Sequence, residues 1–406
     1  MTATSKPLSL FHLLDPEVLA DPYPLYAQLR AESPVHWDPY LHTWVVTRYA
    51  DVAEVLTRFR ADRTPTPDKL VELGMQQLTP LAQVMVRQML FLDPPQHSRV
   101  RALAAAAFTP RRIERLREHV QDITNTLVDA VAARGQMDVM QELAGPLPAI
   151  VTAELLGVPT ADHEQLKDWS QDFAEMLGNF QHNPGRVEKV LRSVEGMTSY
   201  FRDALTRQPA EPTEGLLNAL ANAEVDGDRL TEDEVIANVI VTMVGGQETT
   251  TNLIGNGLLI LLRTPGALER LRADPSAIPT AIEELLRYES PSQHTARLAP
   301  DDVVLGGQAI GKGQAVIAVM GAANRDPERF ADPDVLDLAR KDNRHLAFGW
   351  AGHFCFGAPL ARMEAHIAFE TMLRRLPELE LVSEPVSWRA NLGLRGLTAL
   401  PITWSP

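Results

Sequence analysis

The stretch Phe348-Gly349-Trp350-Ala351-Gly352-His353-Phe354-Cys355-Phe356-Gly357 holds the only cysteine in a chain of 406 residues. Directly after it, Ala358-Pro359-Leu360-Ala361-Arg362 opens a run in which Leu360, Met363, Ile367, Phe369, Met372, Leu373 and Leu376 recur at helical spacing. Proline suits the first turn of a helix, where its missing N–H would have had no partner. The sulfur therefore stands just ahead of a helix N-terminus, facing unpaired backbone N–H groups and the positive end of the helix dipole. Such surroundings favour the thiolate, the form that binds metals. Gly352 and Gly357 bracket the cysteine and let the backbone turn tightly and come close to something large and flat. A lone cysteine is more often a small buried hydrophobe, so the reading depends on the residues around it.

Composition narrows the choices. With 38 basic and 53 acidic residues the formal charge is −15, which argues against nucleic acid and against anionic membrane surfaces as partners. One cysteine excludes an intramolecular disulfide framework and fits a reducing cytoplasm. The start, Met1-Thr2-Ala3-Thr4-Ser5-Lys6-Pro7, is polar and has no signal-peptide apolar core. With 45% hydrophobic residues there is material for a large core, and no repeat, low-complexity tract or linker divides the chain. One domain over residues 1–406 is expected, with residues 1–20 loosely packed.

The coarse pattern is mostly helix with a little sheet. Val35-His36-Trp37 and Thr43 to Thr47 flank the turn Asp38-Pro39-Tyr40, a hairpin signal. Helical spacing runs from Pro110 to about Ala133, then through Leu143 to Leu156, Glu164 to Leu177, Val187 to Leu205 and Leu216 to Ala221. Proline-rich spots, residues 209–212 among them, punctuate these helices. Short strands are expected at Val303 to Leu305, Ala315 to Val319 and Ala399 to Thr403.

Thr231-Glu232-Asp233-Glu234 fits a capping box and opens a helix reaching about Arg263, roughly 45 Å long. Asn238, Gln247, Glu248, Asn252 and Asn256 interrupt its apolar character, which predicts a buried core helix and not a membrane span. At its middle stands Val244-Gly245-Gly246-Gln247-Glu248-Thr249-Thr250. Paired glycines cost roughly 1 kcal/mol each inside a helix, so they mark either a kink for close packing or a widened groove.

The segment Phe-Gly-x-x-x-His-x-Cys-x-Gly with its Ala-Pro-Leu-Ala-Arg continuation closely resembles the haem-binding loop of the cytochrome P-450 family. The resemblance extends from about Asp21 to Pro401, with the family's motifs in order. It implies the single, mainly α P-450 fold with a minor β-rich region and a long central helix over haem b, iron protoporphyrin IX. It implies Cys355 as the axial iron ligand, and Phe348, Gly349, Gly357 and Gly245 as residues against the haem. Ala351 stands where the family usually has a second glycine, which is expected to work only where the backbone avoids positive φ. Gly245-Gly246-Gln247-Glu248-Thr249 resembles the family's oxygen-activation signature and implies Glu248 and Thr249 as proton-relay groups. Glu284-Leu285-Leu286-Arg287 resembles its structural Glu-x-x-Arg, with Arg340 as third member. A second capping box is expected at Thr280 and Glu283. His97 and Arg101, four apart on one helical face, match the family's propionate partners, as do Arg297 and His345. By the same resemblance substrate lies against Leu92, Phe180, Val241, Val244, Gln293, Thr295 and Leu394, a mostly apolar set suited to lipophilic small molecules.

The function implied is a monooxygenase that inserts one oxygen atom from dioxygen, using electrons from a separate ferredoxin or flavodoxin with its reductase. A monomer, cytoplasmic and without nucleic acid or membrane partners, is the expectation. Arg99, Arg111, Arg112, Arg344 and Arg362 form a basic patch for an acidic ferredoxin. Two rivals remain within haem chemistry, a peroxide-driven haem-thiolate oxygenase and a non-catalytic haem sensor; the Glu248–Thr249 pair speaks against both. A cysteine nucleophile using His353 lacks an orienting third group, and structural zinc wants more cysteines. Gly306-Gly307-Gln308-Ala309-Ile310-Gly311-Lys312-Gly313 fails as a phosphate-binding loop, because Gly313 has no hydroxyl and a strand follows where a helix is needed. It reads as a hairpin turn.

Overall fold

The computed structural model describes residues 7–178, 184–207, 215–382 and 384–405. Phe180 and residues 209–212 lie outside them.

The central helix is Glu232–Arg263. Its capping box forms as read from the sequence: Thr231 Oγ1 accepts the Glu234 N–H, and the Glu234 carboxylate accepts the Thr231 N–H. Asn238, Asn252 and Asn256 are buried along it with Ile240, Leu253 and Leu258, so it is a core helix. Among the described residues no helix is long and apolar enough to cross a membrane. Pro146–Leu156, His163–Gly178, Pro184–Thr206 and Ala358–Arg375 pack around it. Pro110–Ala132, capped by Thr109, lies against Pro146–Leu156 and Ala358–Arg375.

The stretch expected to be one helix from Leu143 is divided. A π-helical turn occupies Met140–Ala144 and the α-helix starts at Pro146, where the missing proline N–H prevents the ladder from continuing. Gly157 ends that helix in the left-handed region, φ 78, with its Cα against Gly215; a Cβ there would come within 2.6 Å of that backbone. The second capping box is also absent. Ile278–Tyr288 begins three residues earlier than the box requires, after a 3-10 turn at Pro275–Ala277, so Thr280 sits inside the first turn.

The β-rich region is small. Val35–Asp38 and Thr43–Val46 form the expected antiparallel hairpin. Thr43–Val46 continues parallel to Ala315–Ala318, which pairs antiparallel with Thr295–Leu298. Gly306 and Gly307, at φ 54 and 82, make the turn between Val303–Leu305 and Gln308–Ile310, as the hairpin reading requires. Pro401–Thr403 pairs with Glu380–Leu381 and Gln136–Asp138. The N-terminal segment corrects an expectation. From Ser9 on it is packed, because Ser9 Oγ and the Leu10 N–H donate to the buried Asp38 carboxylate, and Leu10 and Leu13 are enclosed with Tyr26 and Leu29.

Candidate functional site

The cysteine loop is closed by its own backbone. The Cys355 N–H donates to the Phe348 carbonyl at 2.7 Å, and the Gly349 N–H to the Leu346 carbonyl at 2.8 Å. Gly357 caps Ala358–Arg375, with Pro359 in its first turn. Burial pushes the Cys355 thiol up, while the Gly357 N–H, the Arg101 charge, the Ala358 N–H and the Arg362 charge pull it down. The two helix N–H groups thus point at the sulfur, where they would hold a metal-bound thiolate, and a coordinated thiol loses its proton outright. Ala351 overturns the expectation about its backbone: it adopts φ 53. An L-residue there costs about 1 kcal/mol or more. Ala351→Gly is therefore expected to stabilise the protein by about 1 kcal/mol, seen as a higher thermal midpoint with an unaltered absorption spectrum. A lower midpoint would contradict the strain.

One face of the central helix is open. Val241, Gly245 and Thr249, four residues apart, are accessible between buried Met243, Val244, Gln247, Glu248 and Thr250. A Cβ on Gly245 would meet nothing within 4 Å. The helix continues through both glycines without a break. Thr249 Oγ1 donates to the Gly245 carbonyl at 2.7 Å. Glu248 turns the other way, into a buried ion pair with Arg389, a residue the sequence reading did not single out. Nothing local in Ser387-Trp388-Arg389 announces that pairing.

The substrate candidates fare unevenly. Val244 is buried, and Leu92 and Leu394 are partly buried against the main core. Thr295 Oγ1 accepts a hydrogen bond from Arg297 at 3.0 Å. Gln293 donates its amide to the Ser290 carbonyl at 2.7 Å and lies against Gly321.

Cationic side chains converge beside the cysteine loop. His97 and Arg101 come from the helix Gln96–Ala107, and Arg297 comes from the strand Thr295–Leu298. Arg101 Nη2 donates to the Phe354 carbonyl at 2.7 Å, tying that helix to the loop. His97 Nε2 and Arg297 Nε are buried with no hydrogen-bond partner among the described residues. Burial pushes Arg297 down to about 10. His353 stacks on His97 with ring centroids 4.1 Å apart, and burial together with the Arg297 charge pushes it down to about 3. That stacking leaves no His353–Cys355 pair for nucleophilic catalysis. His345 has both ring nitrogens engaged, Nε2 3.3 Å from Glu283 and Nδ1 accepting the Ala347 N–H at 3.2 Å. Burial raises the Glu283 carboxyl, but bidentate Arg362 and His345 outweigh it and hold it at about 2. Buried donors with no acceptor, an open glycine face and a thiol under two helix N–H groups fit a flat group bearing two carboxylates and a metal, as haem b does.

Behind the loop lies the Glu-x-x-Arg network. Both Glu284 and Arg287 are fully buried and joined by two hydrogen bonds of 2.8 and 2.7 Å. Glu284 also accepts from Arg340 Nε at 3.1 Å, Asn343 Nδ2 at 3.0 Å and the Asp337 N–H at 2.9 Å. Arg287 donates to the Asn324 and Pro333 carbonyls. The Asn324 amide oxygen in turn accepts the Leu346 N–H at 2.7 Å, so the network reaches the start of the cysteine loop.

Comparison with known proteins agrees with this geometry. The family model for cytochrome P450 matches residues 40–386. The biotin biosynthesis cytochrome P450 of Bacillus subtilis (strain 168) is 38% identical over 392 residues, 96% of this chain and 97% of its own. The monooxygenase PikC of Streptomyces venezuelae is 40% identical over 416 residues, 99% of this chain and 96% of its own. The structure of P450BioI, in complex with hexadec-9Z-enoic acid ligated acyl carrier protein, superposes with a TM-score of 0.90 at 36% identity, covering 96% of this chain and 99% of that one. A cysteine-centred loop buttressed by Glu284, Arg287 and Arg340, matched over nearly the whole length of these relatives, places this chain in the cytochrome P450 family.

Proposed function

We propose that this single-domain chain is a haem-dependent monooxygenase that holds its iron through Cys355 and acts on lipophilic small molecules. The observation that carries it is the lone cysteine under the N–H groups of Gly357 and Ala358, next to buried, acceptorless donors on His97 and Arg297. Haem, when bound, supplies the activation of dioxygen and its reduction by two electrons. The protein supplies the rest. Thr249 Oγ1 carries the proton nearest the open helix face. Glu248 is the adjacent carboxylate, held by its ion pair with Arg389, and is the group that resupplies Thr249. Leu92, Val241, Val244 and Leu394 give the substrate side an apolar lining. An acyl chain delivered on a carrier protein belongs to the same substrate class, supported by the P450BioI complex.

Electrons come from a separate ferredoxin or flavodoxin with its reductase, in the cytoplasm, to a monomeric enzyme. The docking patch is smaller than the sequence suggests. Arg99 is committed to Asp228 and Glu234, and Arg362 to Glu283. Arg111, Arg112 and Arg344 remain, the first two lining a cleft of about 450 Å³ beside Thr109. Reversing both Arg112 and Arg344 to Glu is expected to slow the first electron transfer from an acidic ferredoxin about tenfold at low salt, converging with the wild type at high salt. Equal rates at low salt would rule the patch out.

The Thr249–Glu248 pair favours dioxygen over peroxide as the oxidant. The test is turnover of myristic acid under ¹⁸O₂ with a ferredoxin system. One labelled oxygen per product supports the proposal; product formed only on adding hydrogen peroxide supports the peroxide-driven reading.

A further inference from the structure

The geometry points to Arg63 as a further haem-positioning residue, one that binds a propionate carboxylate alongside Arg297; the inference rests on the haem reading above. Arg63 lies in the segment leading to Pro67–Glu72. Its guanidinium lies over the Phe91 ring, 4.6 Å from the centroid, and Nη1 donates to the Ala61 carbonyl at 3.0 Å. Phe91 is itself enclosed, so the guanidinium rests on a fixed apolar platform. Burial pushes Arg63 down to about 9, and the neighbouring Arg297 charge acts in the same direction. The half-buried Arg63 guanidinium and the buried Arg297 guanidinium repel each other, and an anion between them offsets the cost of holding both away from water.

The local charge balance identifies how much anion is missing. Arg60, Arg63, Arg101 and Arg297 supply four fixed cations, and the rings of His97 and His353 stack on each other beside them. The acids that face them are Asp62 and Asp93. Arg60 already reaches both, at 3.4 and 3.3 Å, and Asp93 also accepts the N–H groups of Ala61 and Asp62. Four cations against two carboxylates leave two positive charges. A cofactor with a neutral thiolate-ligated ferric core and two propionates brings the cluster to zero, with all four arginines used. Arginine suits this role because its planar fork binds a carboxylate in two places and stays charged when buried. A carboxylate on the substrate is the competing occupant, and it would leave the haem indifferent to Arg63.

The test uses substrate-free holoenzyme of the wild type and of Arg63→Leu, Arg63→Gln and Arg63→Lys. The rate of haem transfer to excess apomyoglobin is measured, together with the midpoint potential. The leucine and glutamine variants are expected to lose haem about tenfold faster or more, the worth of one charge-assisted hydrogen bond, with lower midpoint potentials because a positive charge near the iron is gone. Lysine, which keeps the charge, is expected to recover most of the potential. Wild-type haem loss and potential in Arg63→Gln would overturn the inference, and a loss of myristic acid affinity in that same variant would assign Arg63 to a substrate carboxylate. Glutamine carries the test if the leucine variant fails to fold. The reduced carbon monoxide spectrum of the wild type checks the haem-thiolate reading separately.

Discussion

Arg287→Leu is expected to yield no soluble, haem-loaded protein. The substitution leaves Glu284 as a fully buried carboxylate with Arg340 as its remaining cationic partner, and it strips donors from the Asn324 and Pro333 carbonyls. Breaking a buried pair from one side costs about 3–5 kcal/mol, a large part of the 5–15 kcal/mol by which a domain of ordinary stability stays folded (roughly). Asn324 anchors Leu346, so the damage reaches the cysteine loop directly. Arg287→Lys is expected to fail as well, since a single ammonium cannot reproduce two parallel bonds to Glu284 together with contacts to the Asn324, Pro333 and Val335 carbonyls. Soluble yield and haem content of the purified variants check this. Normal haem content in either variant would show that the network is dispensable.

Thr249→Ala is expected to keep its haem and fold yet waste its electrons. The lost hydroxyl makes one hydrogen bond, to the carbonyl of Gly245, and alanine is the better helix former. Stability should therefore change little. What disappears is the proton donor nearest the open face, and positioned proton transfer contributes about 10²–10⁴ in rate. The coupling of electron consumption to product should fall by about tenfold or more, with hydrogen peroxide taking up the difference, and Thr249→Ser should restore it. Glu248→Gln should slow turnover without the same rise in peroxide, because Thr249 still holds its proton while the group that resupplies it cannot ionise. Cofactor oxidised, peroxide released and product formed are counted together. Wild-type coupling in Thr249→Ala would remove this residue from the proton path.

What the sequence conveys well is what neighbouring residues decide. The capping box at Thr231, the strand Val303–Leu305 and the proline start of the cysteine helix follow from chemistry within a few positions. The cysteine loop and the Glu284–Arg287 pair were legible through family resemblance. Spacing alone would have rated that pair as an exposed i,i+3 contact worth a few tenths of a kcal/mol; its weight comes from complete burial. Distant partners were not legible. Arg389 reaches Glu248 across 141 positions, and His345 meets Glu283 across 62. Arg63 joins Arg297 only because its loop folds over Phe91. Ala351 fails for a different reason: the loop closure from Cys355 to Phe348 outweighs a local backbone preference worth about 1 kcal/mol.

The central claim is that Cys355 ligates a haem iron, and the absorption spectrum of the dithionite-reduced protein under carbon monoxide tests it most directly. The account predicts a strongly red-shifted Soret band that is absent from Cys355→Ala. A Soret band typical of histidine ligation, or a purified protein without haem, would contradict it.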